Sequence, residues 1–96
     1  MKLADFKPIE RDYGTGTQTL LDFGKYHLSV ITGGYGRADA PYEIAVFDAN
    51  DGVARAFIQL PGITGPDDVR GYMTQEDVDA VLVKLYAITG VEPQQI

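Results

Sequence analysis

Thr17-Gln18-Thr19-Leu20-Leu21-Asp22-Phe23-Gly24-Lys25-Tyr26-His27-Leu28-Ser29-Val30-Ile31-Thr32 is the stretch that decides the fold. Two runs of strand-forming residues flank Gly24-Lys25, a two-residue loop with glycine at the position where a type II′ turn needs positive φ. That loop length sets the register. Phe23 then faces Tyr26, Leu21 faces Leu28 and Thr19 faces Val30, all on the side that belongs to the core. On the other side Asp22 faces His27, Leu20 faces Ser29 and Gln18 faces Ile31.

Downstream, Gly33 to Pro41 is too rich in glycine for either regular element and reads as a loop. A second hairpin is expected over residues 42–60. Tyr42-Glu-Ile-Ala-Val-Phe-Asp48 is its first strand, Asn50-Asp51-Gly52 its turn with a G1 bulge, and Val53 to Leu60 its return strand. This register sets Tyr42, Ile44 and Val46 opposite Leu60, Ile58 and Ala56, and collects Glu43, Arg55 and Gln59 on the other face. Residues 61–73 read as a long irregular connection. Thr74 then caps a helix over residues 74–89, with Asp77 closing a capping box in an acidic first turn. Val78, Val81, Leu82, Leu85 and Ile88 form its apolar stripe, Gly90 terminates it, Pro93 prevents continuation, and residues 91–96 are a tail.

Upstream, residues 1–16 read as an irregular arm, with an edge strand around residues 3–10 as an option. The expected fold is therefore a single α+β domain over residues 1–96. Two consecutive β-hairpins form an antiparallel sheet, and one C-terminal α-helix packs on one of its faces.

Composition narrows the function. With 96 residues and no cysteine, disulfides, thiol catalysis and cysteine zinc sites are excluded. No apolar run approaches the roughly 20 residues needed to span a bilayer, so a cytoplasmic location is expected. The formal charge is −6 and it is uneven. Residues 1–37 hold five bases against four acids, whereas residues 38–96 hold three bases against ten. Phosphate binding needs the opposite balance, so direct nucleic-acid binding is disfavoured and a basic partner favoured.

Four constellations invite chemistry. Gly33-Gly-Tyr-Gly-Arg37 is glycine-rich, but it lacks both the Gly-Lys-Ser/Thr ending and the following helix of a phosphate loop. Asp48-Ala-Asn-Asp-Gly52 has glycine fifth and Gln59 twelfth where a calcium loop has glycine sixth and glutamate twelfth. His27, the sole histidine, faces Asp22 as a dyad without a nucleophile in reach. Asp67 and Asp68 could join Asp77 and Asp79 as an acidic cluster, although solvated loop acids are the commoner meaning. None of these calls for catalytic, metal or cofactor residues, and the chain is expected not to be an enzyme.

The sheet face away from the helix carries Phe47 and Phe57 among polar residues, and a patch of that kind is normally covered. Either the arm covers it through Phe6, Ile9 and Tyr13, or a partner or a second copy does. The residues expected to contact a partner are Phe47 and Phe57, the loop residues Tyr35, Arg37, Arg70 and Tyr72, and the acids Asp67 and Asp68.

The runs Tyr42-Glu-Ile-Ala-Val-Phe-Asp, Phe57-Ile-Gln-Leu-Pro-Gly-Ile and Gly71-Tyr-Met-Thr-Gln-Glu-Asp-Val-Asp-Ala-Val-Leu, with Leu85-Tyr-Ala-Ile-Thr-Gly, span about half the chain. In this style the sequence resembles small phage-encoded accessory proteins, including inhibitors of host defence of the anti-CRISPR type. The resemblance implies a short acidic α+β inhibitor that docks on a basic region of a larger, nucleic-acid-handling protein. It carries no individual residue's role with it. The alternative is a self-associating assembly protein that buries Phe47 and Phe57 in a homodimer or larger homo-oligomer.

Overall fold

The computed structural model describes residues 1–11, 15–50 and 56–96. Strands β1 (Ile9–Glu10), β2 (Thr17–Asp22), β3 (Tyr26–Ile31), β4 (Tyr42–Asp48) and β5 (Val69–Met73) lie in that order in one antiparallel sheet. Helix α1 (Gln75–Thr89) follows, and β6 (Gln94–Gln95) returns to pair with β2 on the edge that β1 also uses. The protein is an α+β fold with one helix on one face of the sheet.

The β2–β3 hairpin adopts the register that its two-residue loop dictates, from Asp22 opposite His27 to Gln18 opposite Ile31. Gly24 has φ +79°, and Asp22 Oδ1 accepts the Gly24 N–H at 2.7 Å, an interaction that pins the turn. The face holding Leu21, Phe23, Leu28, Val30, Ile44 and Val46 is buried against Val78, Val81, Leu82 and Leu85 of α1. Ile88, expected to extend that helical stripe, is instead 56% exposed. It lies one turn beyond Leu85, the last buried position of the helix.

Capping chemistry sets the helix ends. Thr74 Oγ1 accepts the Asp77 N–H, the Asp77 carboxylate accepts the Thr74 N–H, and Gly90 closes the helix at φ +68°. Hydrogen bonds from the Thr74 backbone and then its side chain hold the Asp77 carboxyl below its ordinary 3.8. A depressed carboxyl contributes stability above the unfolded-state value and loses it as pH falls through the folded one. Asp77→Ala is accordingly expected to lower the melting temperature at neutral pH. That difference should close as the solution is acidified past the carboxyl's titration range, which circular dichroism melts across pH would follow.

Three expectations need correction. The first concerns the return strand of the second hairpin. Phe57 meets Phe47 in a single bridge, with Ile58 N–H donating to the Val46 carbonyl, so the pairing is two residues out of the expected register. Beyond it Leu60 O accepts N–H groups from Ile63, Thr64 and Gly65, and the chain turns away. Pro61, which has no N–H, could not have continued the ladder. The first half of β4 pairs instead with β5, inside the stretch expected to be irregular: Tyr42 lies opposite Met73 and Ala45 opposite Val69. The expected turn residues Asp51 and Gly52, and Arg55, lie outside the described residues.

The second correction is the arm. Leu3–Asp5 forms a 3-10 turn whose Leu3 is buried in the helix-side core, and the Leu3 N–H donates to Asp79 Oδ1 at 2.8 Å. The third is the tail. Residues 91–96 include β6, and the Gln95 side chain exchanges hydrogen bonds with the Lys7 backbone, accepting its N–H at 2.9 Å and donating to its carbonyl.

Candidate protein-binding face

With the arm packed on the helix side, the opposite sheet face is left to other elements. Its rows follow from the ladders: Ile9, Gln18, Ile31 and Glu43; then Leu20, Ser29, Ala45 and Val69; then Gln94, Asp22, His27, Phe47 and Phe57. Ser29 and Ala45 are buried although no helix covers them, because both are small and sit amid larger neighbours. Gln18 Nε2 donates to Ser29 Oγ at 2.9 Å, so that hydroxyl is satisfied. The arm therefore does not cover this face with Phe6, which packs against the core, or with Ile9, which stays exposed at the edge; Tyr13 lies outside the described residues.

The Gly33–Tyr35 loop covers one corner. Gly34 lies against Ile31 and Glu43, and Glu43 Oε1 accepts the Tyr35 N–H at 2.7 Å. The Tyr35 carbonyl in turn accepts the Tyr72 N–H at 2.9 Å. Gly71 permits this approach, since a Cβ there would stand 2.5 Å from that of Tyr35. At the β-bulge between β4 and β5 Tyr72 takes φ +55°, a conformation that costs a residue other than glycine about 1–3 kcal/mol. Both tyrosine rings remain mostly in solvent.

At the far end of β4 the rings of Phe47 and Phe57 meet with centroids 4.9 Å apart and planes tilted by 38°. Phe47 is half-buried, whereas Phe57 is 48% exposed. Beside them Asp68 accepts a hydrogen bond from Gln59 Nε2 at 3.1 Å. Asp22 and Glu43 thus lie on this face with Asp68 beside it, and none of the ladder positions that form its rows is lysine or arginine. The expected contact residues fall into two groups: Phe47 and Phe57 with Asp68 nearby, and Tyr35 with Tyr72; Asp67 lies in the preceding turn, its N–H donating to the Thr64 carbonyl. The other two are engaged elsewhere. Arg37 pairs with Asp39 at 2.9 Å, and Arg70, opposite Ile44 in the ladder and so on the core side, donates to the Ile63 carbonyl at 3.4 Å.

Chemistry of other kinds finds little support. His27 Nε2 stands 3.6 Å from Asp22 Oδ1, the same oxygen that holds the Gly24 N–H, so the carboxylate serves the turn. A cleft of about 240 Å³ between the arm and the sheet is lined by residues such as Leu3, Phe6, Thr19 and Tyr42, and none of its lining side chains is charged. Among the described residues no group of three or more histidine, cysteine or carboxylate side chains is placed to hold a metal ion. Among them, too, no helix is long and apolar enough to cross a membrane.

No family model, curated protein or solved structure matches the chain.

Sequence reasoning missed two contributors to this face. Val69 was hidden in a stretch that Asp67-Asp68 and Gly71 made to look like a turn. The other is the seating of the Gly34–Tyr35 loop on the sheet, which depends on Glu43, eight residues away from Tyr35.

Proposed function

We propose that the protein is a non-enzymatic binding module whose open sheet face docks on a basic region of a larger protein. The observation that carries this reading is the Phe47–Phe57 step, exposed on a face bordered by carboxylates. Aromatic anchors supply binding energy at the centre of an interface, and charges of one sign around them select a partner of the other. Tyr35 and Tyr72 add a second aromatic pair at the opposite end of β4. The resemblance to small phage-encoded inhibitors makes a nucleic-acid-handling protein the candidate class, since such proteins carry the required basic surface.

The competing reading, a homo-oligomer that buries Phe47 and Phe57, has electrostatics against it. Two copies stacked through this face would set Asp22 and Glu43 of one near the same carboxylates of the other.

Affinity capture with the tagged chain, followed by titration of the purified partner, tests the proposal. Phe57→Ser should weaken binding about tenfold or more, and raising salt from low to physiological strength should weaken it further. Binding indifferent to both changes would refute docking through this face.

A further inference from the structure

We propose that the cleft between the N-terminal arm and the sheet is a binding site for a small uncharged aromatic molecule that carries one hydrogen-bonding group. The core-facing row of β2 runs Thr17, Thr19, Leu21. Thr19 stands opposite Val30, where a second valine would fill the same space. It is instead a hydroxyl in a residue only 4% exposed. Among the described residues nothing hydrogen-bonds that hydroxyl, whereas the Thr17 hydroxyl has that of Thr32 at 3.1 Å. Among them, too, no side-chain oxygen or nitrogen is sealed inside without a partner, so the Thr19 oxygen reaches the surface, and the cleft is the space it lines. A polar group held this deep costs free energy until something bonds it.

The rest of the lining sets the chemistry of the occupant. Phe6, Val30 and Tyr42 supply apolar and aromatic surface, and no charged side chain lines the cleft, so an ion would enter without a counter-charge. Size follows from the volume of about 240 Å³. A dry cavity of about 150 Å³ accepts benzene, and in proportion this one accepts about ten non-hydrogen atoms. The arm that forms one wall is anchored on both sides of Phe6. The Leu3 N–H donates to Asp79 Oδ1 at 2.8 Å, and the Lys7 N–H donates to Gln95 Oε1 at 2.9 Å. The wall is therefore in place before a ligand arrives, which lowers the cost of binding. Because the cleft lies on the helix side of the sheet, away from Phe47 and Phe57, the inference stands independently of what the open face binds.

Indole, indene and benzoate have the right size and differ in the group they present. Titrated into the isotope-labelled chain at millimolar concentration, indole should give saturable amide shifts at Thr17, Thr19 and Val30. It should bind roughly two- to tenfold tighter than indene, which has the same shape without the N–H, since that is the worth of one neutral hydrogen bond. Benzoate should not bind. Thr19→Val keeps the side chain's shape and removes an oxygen that the fold leaves unbonded, so it should melt no lower than the parent chain and bind indole and indene equally. The absence of saturable shifts with indole, shifts centred on Phe47 and Phe57, benzoate binding as tightly as indole, or an indole preference that survives Thr19→Val would overturn the proposal. So would a Thr19→Val chain that melts several degrees lower, because the hydroxyl would then be engaged within the fold.

Discussion

Phe23→Ala is expected to cost about 3–5 kcal/mol of folding stability, the range for deleting a large aromatic side chain from a packed core. Phe23 is fully buried and, among the described residues, is the largest side chain in that condition. It stands at the end of β2, where its N–H donates to the Tyr26 carbonyl, so its ring and its backbone both hold the hairpin's closed end. A domain of this size has roughly 5–15 kcal/mol in total, and the variant therefore loses a third or more of it. Phe23→Leu, which keeps most of the volume, should cost about 1.5 kcal/mol or less. Urea unfolding measures both. A loss below about 1 kcal/mol for Phe23→Ala would place this ring outside the core, contrary to the structure.

Gly16→Ala and Gly33→Ala should each cost about 2–4 kcal/mol, combining backbone strain with an overpacked contact. These two glycines stand back to back where β2 begins and β3 ends. Gly16 has φ +106° and Gly33 φ +83°. A Cβ on Gly16 would come within 2.1 Å of the Thr32 carbonyl oxygen, and one on Gly33 within 2.1 Å of that of Thr15. Neither neighbour is a side-chain end that can swing aside; both are backbone. The same junction is held by the Thr17 N–H donating to Thr32 Oγ1 at 2.8 Å and by the contact between the two threonine hydroxyls. Gly62 is the control. Its φ is +79°, yet nothing lies within 4 Å of the added atom, so Gly62→Ala should cost only the backbone preference, about 1–2 kcal/mol. Melting temperatures separate the two cases, since 1 kcal/mol corresponds to roughly 4–8 °C in a domain of this length. Equal losses at all three positions would mean that close approach contributes nothing. Because Gly16 and Gly33 share one junction, the double variant should fall short of the sum.

The parts of this fold legible in the sequence are those whose determinants are local. The β2–β3 register depends on a two-residue loop, and the ends of α1 depend on Thr74, Asp77 and Gly90, all within a few residues of what they control. The parts that were not legible depend on distant partners. β5 is a strand because Tyr42–Ala45 offer it an edge after the chain turns at Leu60–Gly65. β6 is a strand because Leu21 and Asp22 have a free side to pair with. Ile88 continues the helical apolar stripe by spacing alone, but the sheet does not reach that far. For the candidate site, Phe47 and Phe57 could be read from alternation along β4, since a register error of two residues leaves the faces unchanged. Arg70 could not be read, because its direction is set by a strand that was not foreseen.

One edge of β2 serves two short strands, β1 along Thr17–Gln18 and β6 along Leu21–Asp22. An open sheet edge is a template on which another chain can add a strand, and sharing it between the two ends of the sequence closes it without a long edge strand. The order of synthesis gives this arrangement a temporal side. On a ribosome β1, β2 and β3 emerge early, but the Leu21–Asp22 half of the edge has no cover until residues 94–95 arrive. The Lys7–Gln95 hydrogen bonds, which join residues 88 positions apart, can form only then. Aggregation through strand addition is therefore a hazard of the nascent chain at that half-edge, and Gln94–Gln95 act as its seal.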